Sequence, residues 1–220
     1  MKILVSWSSG KDSAWMLHRL QVEHPGAVHG LLTTTNDTFN RVAMHGVPRA
    51  VLEAQATAAQ LPLHVVPLPW PCSNEEYERR MGAAVTGVVA HGFTHVAFGD
   101  LFLEDVRRYR EERLAGSGLA PLFPLWRVAG TAELARAMIA GGLRATLSTV
   151  DPRVLDPSFA GRGFDLALLE ALPASVDPCG ENGEFHSCAW DGPMFAHPVP
   201  IAVQGTVIRD GFAFADIRLA

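Results

Sequence analysis

A chain of 220 residues that is 48% hydrophobic can build one large globular domain or two small ones. Its 18 basic and 23 acidic residues leave a formal charge of −5, which gives nucleic acid little electrostatic footing and makes such a partner unexpected. The 3 cysteines, Cys72, Cys179 and Cys188, form no CxxC pair, and no apolar run reaches the length of a membrane span; a disulfide framework, a zinc ribbon and a membrane partner are all disfavoured. No signal peptide is readable ahead of the first strand, so a cytoplasmic location is expected. A homo-oligomer is compatible with this composition.

In chain order, Lys2-Ile3-Leu4-Val5 reads as a hydrophobic strand that runs into the turn Ser8-Ser9-Gly10 and then directly into a helix. Backbone N–H groups of such a turn, its serine hydroxyls and the positive end of the helix converge on an anion. Lys11 strengthens the reading, because Lys2 and Lys11 are the only lysines in a chain whose default cation is arginine. A compact ammonium suits a phosphate oxygen. Residues 14–21 form an amphipathic helix with Leu17 and Leu20 inward, stopped by Pro25-Gly26. A second strand over 27–35 ends in a polar tip of Thr33, Thr34, Thr35 and Asn36, at the carboxyl edge where a doubly wound sheet places ligands. A helix over 48–60, a strand over 63–68, a helix over 74–90 and a strand over 94–98, ending at Gly99-Asp100, continue the alternation. The expected fold class is therefore α/β, a doubly wound parallel sheet covered on both faces. After Gly116-Ser117-Gly118 prolines become frequent, and 199–217 alternates as antiparallel strands. These features predict a first domain over 1–119 and a second, smaller α+β domain over 120–220.

Three segments carry chemistry. The turn at 8–13 is not a Walker A loop, since Val5 stands where the first glycine belongs and Asp12 where the metal-binding hydroxyl belongs. It matches Ser-x-Gly-x-Asp-Ser instead, as Ser8, Gly10, Asp12 and Ser13, and resembles the PP-loop of the ATP pyrophosphatases. The second segment follows Gly99-Asp100: a charged helix in which Arg107, Arg108, Arg110 and Arg113 alternate with acidic residues. Such a pattern is either a solvated face laced with ion pairs or a set of bidentate ligands for a substrate carboxylate or a leaving pyrophosphate. The third is Asp177 to Ser187, where two glycines allow a tight turn among Glu181, Asn182, Glu184 and His186. That density suits proton transfer, amine handling or magnesium, against the alternative of a plain polar hairpin. Zinc on Cys179, His186 and Cys188 is disfavoured by their irregular spacing.

Taken together the three segments resemble the diphthine–ammonia ligase family. Its Ser-Gly-Gly-Lys-Asp-Ser appears as Ser8 to Ser13, its Gly-Asp with an arginine-bearing helix as Gly99 to Glu112, and its Gly-Glu-x-Gly-Glu-Tyr-His-Thr as Gly180 to Ser187. Ser9 replaces a glycine, Phe185 and Ser187 replace Tyr and Thr, and Val106-Arg107 replace a Tyr-Gln pair. The resemblance implies a ligase that cleaves ATP to AMP and pyrophosphate while ammonia converts a carboxylate to an amide. It implies ATP and Mg2+ as cofactors, with Ser8, Ser9, Gly10, Lys11, Asp12, Ser13, Thr33, Thr34, Asn36, Gly99 and Asp100 on the nucleotide. It also implies Asp12 on the metal, Lys11, Asp12, Glu181, Glu184 and His186 in catalysis, and Arg107, Arg108, Arg110 and Asn182 on a small or protein-borne carboxylate acceptor. The competing readings are an ATP or AMP sensor, a nucleotide hydrolase without ligase activity, and a tRNA-modifying adenylase.

Overall fold

A computed structural model describes every residue except Ala43 and Met44. The chain runs β1 (Ile3–Ser6), α1 (Lys11–Glu23), β2 (Val28–Asn36), β3 (Arg41–Val42), α2 (Arg49–Ala58), β4 (Leu63–Leu68), α3 (Asn74–Ala90), β5 (His95–Ala97), α4 (Glu104–Leu114) and β6 (Ala120–Leu122). It continues through α5 (Thr131–Ala140), β7 (Arg144–Val150), α6 (Leu166–Ala171), β8 (Phe185–Asp191), β9 (Ile201–Arg209) and β10 (Phe212–Leu219). In β1, Ile3, Leu4 and Val5 are fully buried, the mark of a central parallel strand covered on both faces. It pairs in parallel with β2 on one side and β5 on the other. β4 adds in parallel beyond β2, β6 adds in parallel beyond β5, and β3 returns antiparallel along the last two residues of β2. The chain thus builds outward from β1 through β2 to β4 and then crosses to the other side for β5 and β6. The order reverses between β1 and β5, and the crevice at their carboxyl ends is where such sheets take ligands.

The second sheet is antiparallel, in the order β8-β7-β10-β9. Its strands alternate in burial, as in β10, where Ala213, Ala215 and Ile217 point inward. One hydrophobic core runs through both sheets, joining Ile3, Val5 and Trp7 to Leu147, Phe185 and Ala213. The expected boundary at 119/120 falls just ahead of β6, which completes the first sheet by pairing with β5; the chain leaves that sheet only after Leu122. Local sequence explains several element ends. Ser73 caps α3 by accepting the Glu76 N–H, and Pro48 precedes α2 at the position where a missing N–H costs nothing.

Candidate functional site

The turn between β1 and α1 is held from the second sheet. The Ser9 carbonyl accepts the Ala189 N–H (2.9 Å), and the Lys11 N–H donates to Ser187 Oγ (3.1 Å), so β8 lies along the turn. Gln55, fully buried on α2, completes the clamp. Its Nε2 donates to the Ser9 carbonyl (3.1 Å) and the Ala189 carbonyl (2.6 Å), while its Oε1 accepts the Trp7 indole N–H (3.1 Å). Sequence reasoning missed Gln55. Its signal was a lone amide on the helix stripe otherwise formed by Val51, Leu52, Ala56 and Ala58.

Within the turn, Ser9 holds a left-handed backbone with φ of 69°. That is the conformation for which glycine is usual, and a β-carbon there carries strain. The Ser8 and Ser13 hydroxyls meet at 3.2 Å, and Ser13 Oγ donates to the Gly10 carbonyl (3.0 Å). Gly99, leaving β5, passes against the start of α1: a Cβ there would sit 3.2 Å from the Asp12 carbonyl carbon and 3.3 Å from the Ser13 nitrogen. Any side chain there would push the start of α1 back by a few tenths of an ångström, so glycine allows the close approach that brings the two strand ends together across the crevice. Among the described residues the N–H groups of Asp12 and Ser13 have no acceptor within the chain, as expected of a helix N-terminus open to an anion. Among the described residues five buried side-chain polar atoms lack any partner: Ser9 Oγ, Asp12 Oδ1, Thr33 Oγ1, Thr35 Oγ1 and Ser148 Oγ. The first four lie in the turn or on β2, its parallel neighbour.

Lys11 lies differently from the expectation. Its ammonium is buried, donates to Asp12 Oδ2 (2.8 Å) and to the Cys179 carbonyl, and sits 5.5 Å from the Phe185 ring and 5.6 Å from the Phe164 ring. Burial pulls its pKa down, but Asp12, by charge and hydrogen bond, together with Cys179 and Glu181, outweighs this and the net shift is upward, so it stays charged. It ties the turn to the 177–185 loop rather than presenting a free cation to an anion.

In that loop Glu184 accepts three N–H groups: Asp177 N–H (3.0 Å) and Asn182 Nδ2 (3.1 Å) on Oε1, and Asn182 N–H (3.0 Å) on Oε2. Both Glu184 and the Asn182 amide are thereby committed to loop shape. Asp177, which the sequence reading passed over, accepts the Cys179 N–H (2.9 Å), the Glu181 N–H (3.2 Å) and the Thr131 hydroxyl (2.6 Å). Gly180 (φ 67°) packs so close to the Phe185 carbonyl that a Cβ would lie 2.7 Å from it. The loop so built aims Glu181 into the crevice, where Oε1 accepts the Leu101 N–H (2.8 Å). Burial pushes the Glu181 carboxyl up to about 7, with Asp12 and Asp100 adding to the rise against the Leu101 hydrogen bond and Lys11.

Asp100 forms a bidentate pair with Arg110 (2.5 and 3.0 Å), which brings that arginine to the crevice already partnered. Arg107 lies over Phe123 (4.7 Å) and Trp126 (4.9 Å) and pairs with Glu111, and Arg108 is exposed and paired with Asp105. Neither reaches the turn's residues; this half of α4 follows the solvated ion-pair reading. On β2, Thr33 and Thr35 are buried, Thr34 is partly so, and Asn36 Oδ1 accepts the Thr38 and Phe39 N–H groups (3.0 and 3.2 Å) to shape the following turn. His186 packs at a tilt of 34° against His45 (ring centres 4.6 Å apart), whose Nδ1 lies 3.2 Å from the Ser187 carbonyl. Burial lowers the pair to about 3 for His186 and about 4 for His45, leaving both neutral at ordinary pH. Burial pushes the thiols of Cys179 and Cys188 up to about 12, which removes them as nucleophiles.

Among the described residues no group of three or more His, Cys, Asp or Glu could hold a metal, and no helix is long and apolar enough to cross a membrane. A single carboxylate is nevertheless enough for magnesium when substrate phosphates complete the shell, and Asp12 offers an unpartnered buried Oδ1.

Comparison with known proteins locates this architecture. Residues 130–217, from the start of α5 into β10, match the family described as "Diphthamide synthase C-terminal domain". The diphthine–ammonia ligase of Danio rerio is 35% identical over 122 residues, which is 52% of this chain and 47% of the relative. The human protein of the same name is 31% identical over 121 residues, 52% of this chain and 45% of the relative. The chain spans about half the length of the curated relatives it matches. These matches, together with the Gly180 to Ser187 loop, support a place for the chain in the diphthine–ammonia ligase family.

Proposed function

We propose that residues 8–13 form a PP-loop and that the protein is an ATP-dependent, AMP-forming amide ligase. The observation that carries this reading is the concentration of unpartnered buried polar atoms, Ser9 Oγ, Asp12 Oδ1, Thr33 Oγ1 and Thr35 Oγ1, together with the open N–H groups of Asp12 and Ser13, at one strand edge. Buried polar atoms without partners are costly, and a polyphosphate with its ribose and adenine would satisfy them. The N–H groups and hydroxyls hold the phosphates, and Lys11 and Asp12 fix the turn. Asp12 Oδ1 would be the protein ligand for magnesium, which would supply neutralisation of phosphate charge.

An acceptor carboxylate oxygen attacks the α-phosphorus and pyrophosphate leaves. Ammonia then attacks the acyl carbon of the adenylate, the acyl C–O bond to AMP breaks, and the proton lost from the attacking nitrogen passes to Glu181. A carboxyl raised to about 7 is suited to this step, because near neutral pH it is poised between its two forms and its ionised fraction is basic enough to take the proton. Glu184 is a positioning residue, holding the loop that aims Glu181. The test is product identity: purified protein with labelled ATP, magnesium, ammonium and a panel of carboxylic acids yields AMP and pyrophosphate. ADP and orthophosphate as main products would overturn the adenylation route.

A further inference from the structure

His186 lines a second space, a cavity of about 430 Å³ that none of residues 8–13 borders. Its size is that of a small-molecule site. Phe39, Trp70, Phe212 and Phe214 supply apolar wall, and Arg41, Arg209 and Arg218 converge on it against two carboxylates, Asp210 and Asp216. Asp216 already serves two of these arginines, Arg218 at 2.8 Å and Arg41 at 3.9 Å. Arg209 has no carboxylate within ion-pair distance among the described residues; its guanidinium lies 5.8 Å from the Phe39 ring and 5.9 Å from the Phe214 ring. Arg41 is partly buried, and burial and the neighbouring Arg209 both lower its pKa. Like charges gathered beside aromatic faces favour an anion that neutralises them and an apolar body that covers the rings.

We propose that this cavity is a binding site for an organic anion with a planar apolar body, its negative group held by Arg41 and Arg209 and its body set against Phe39, Trp70 and Phe214. Naming the occupant as the acceptor rests on the ligase reading and on His186, which borders the cavity while its neighbour Ser187 holds the PP-loop; the binding site itself does not rest on that reading.

The experiment titrates the full chain by calorimetry with three probes of one shape, indole-3-acetate, indole-3-ethanol and tryptamine. The anion should bind roughly tenfold or more tightly than the alcohol, and the cation more weakly still. Arg209→Gln, on an exposed hairpin, should cost the anion roughly tenfold while leaving the melting temperature unchanged, and Arg162→Gln, outside the cavity lining, should change nothing. Saturating AMP should not displace indole-3-acetate. Equal affinity for tryptamine, unchanged affinity in Arg209→Gln, displacement by AMP, or no binding by the anion in the millimolar range each overturns the site. Retained anion binding in a protein that forms no AMP from ATP removes the ligase reading and leaves the site standing.

Discussion

Ser9 concentrates the tension between stability and use in one residue. It combines a left-handed backbone with a buried hydroxyl that has no partner, and such combinations persist at ligand sites. Ser9→Gly relieves the strain and removes the orphan hydroxyl, offset in part by the extra freedom of glycine in the unfolded chain. The expected result is a gain of roughly 1 kcal/mol in denaturant unfolding with weaker ATP binding by calorimetry. A variant that loses stability would show that the hydroxyl is satisfied within the fold. Lys11 behaves in the opposite sense. Because its ammonium bridges Asp12 and the Cys179 carbonyl inside the protein, Lys11→Ala leaves a carboxylate and a carbonyl without their donor. The expected cost is about 3 kcal/mol of stability, read by the same unfolding experiment, in addition to any loss of nucleotide affinity.

Among the elements, the 177–185 loop shows how far residues can be read for role without coordinates. Glu181, Glu184 and His186 were all visible as chemistry-bearing groups, but nothing in the sequence separated the carboxylate that accepts three loop N–H groups from the one aimed at the crevice. Burial and partners make that distinction. Glu184→Gln turns one accepting oxygen into a donor facing N–H groups, so it should lower the melting temperature at a cost of roughly 1–3 kcal/mol. Its loss of turnover should be recovered partly in conditions that stabilise the fold; full stability with abolished turnover would restore Glu184 to direct chemistry. Elements of the first sheet were legible because strand, turn and helix alternate with clear Gly and Pro stops; β4 and α3 fall at the expected bounds, Leu63–Leu68 and Asn74–Ala90. The second half was less so. β7 and β8 carry polar residues that are buried by tertiary contact, Thr146, Ser148, Thr149 and Ser187, and this breaks the apolar alternation that announces a strand. α4 had the charge pattern of either a ligand-binding or a solvated helix; Arg110 alone reaches the crevice, through Asp100.

At the scale of the whole molecule, two sheets share one core and meet at the turn, so groups buried at that junction govern stability together. His45 precedes α2, His186 lies on β8, and their packed rings are neutral. Their folded pKa values, about 4 and about 3, lie below the ordinary 6.5, so their contribution is present above pH 6.5 and is lost as the pH falls toward 4. Glu181 has the opposite sign. Its folded value of about 7 lies above the ordinary 4.5, so its contribution is full below pH 4.5 and is lost as the pH rises through 7. Unfolding temperature should therefore peak between about pH 6 and 7, where the histidines are neutral and much of Glu181 still carries its proton. Melting curves from pH 4 to 9 separate the limbs. Glu181→Gln should flatten the alkaline side and, in the turnover assay, remove an ionisation near 7; His45→Phe with His186→Phe should flatten the acid side. An alkaline limb that survives Glu181→Gln would place the titrating group elsewhere and withdraw Glu181 as the residue that accepts the proton from ammonia.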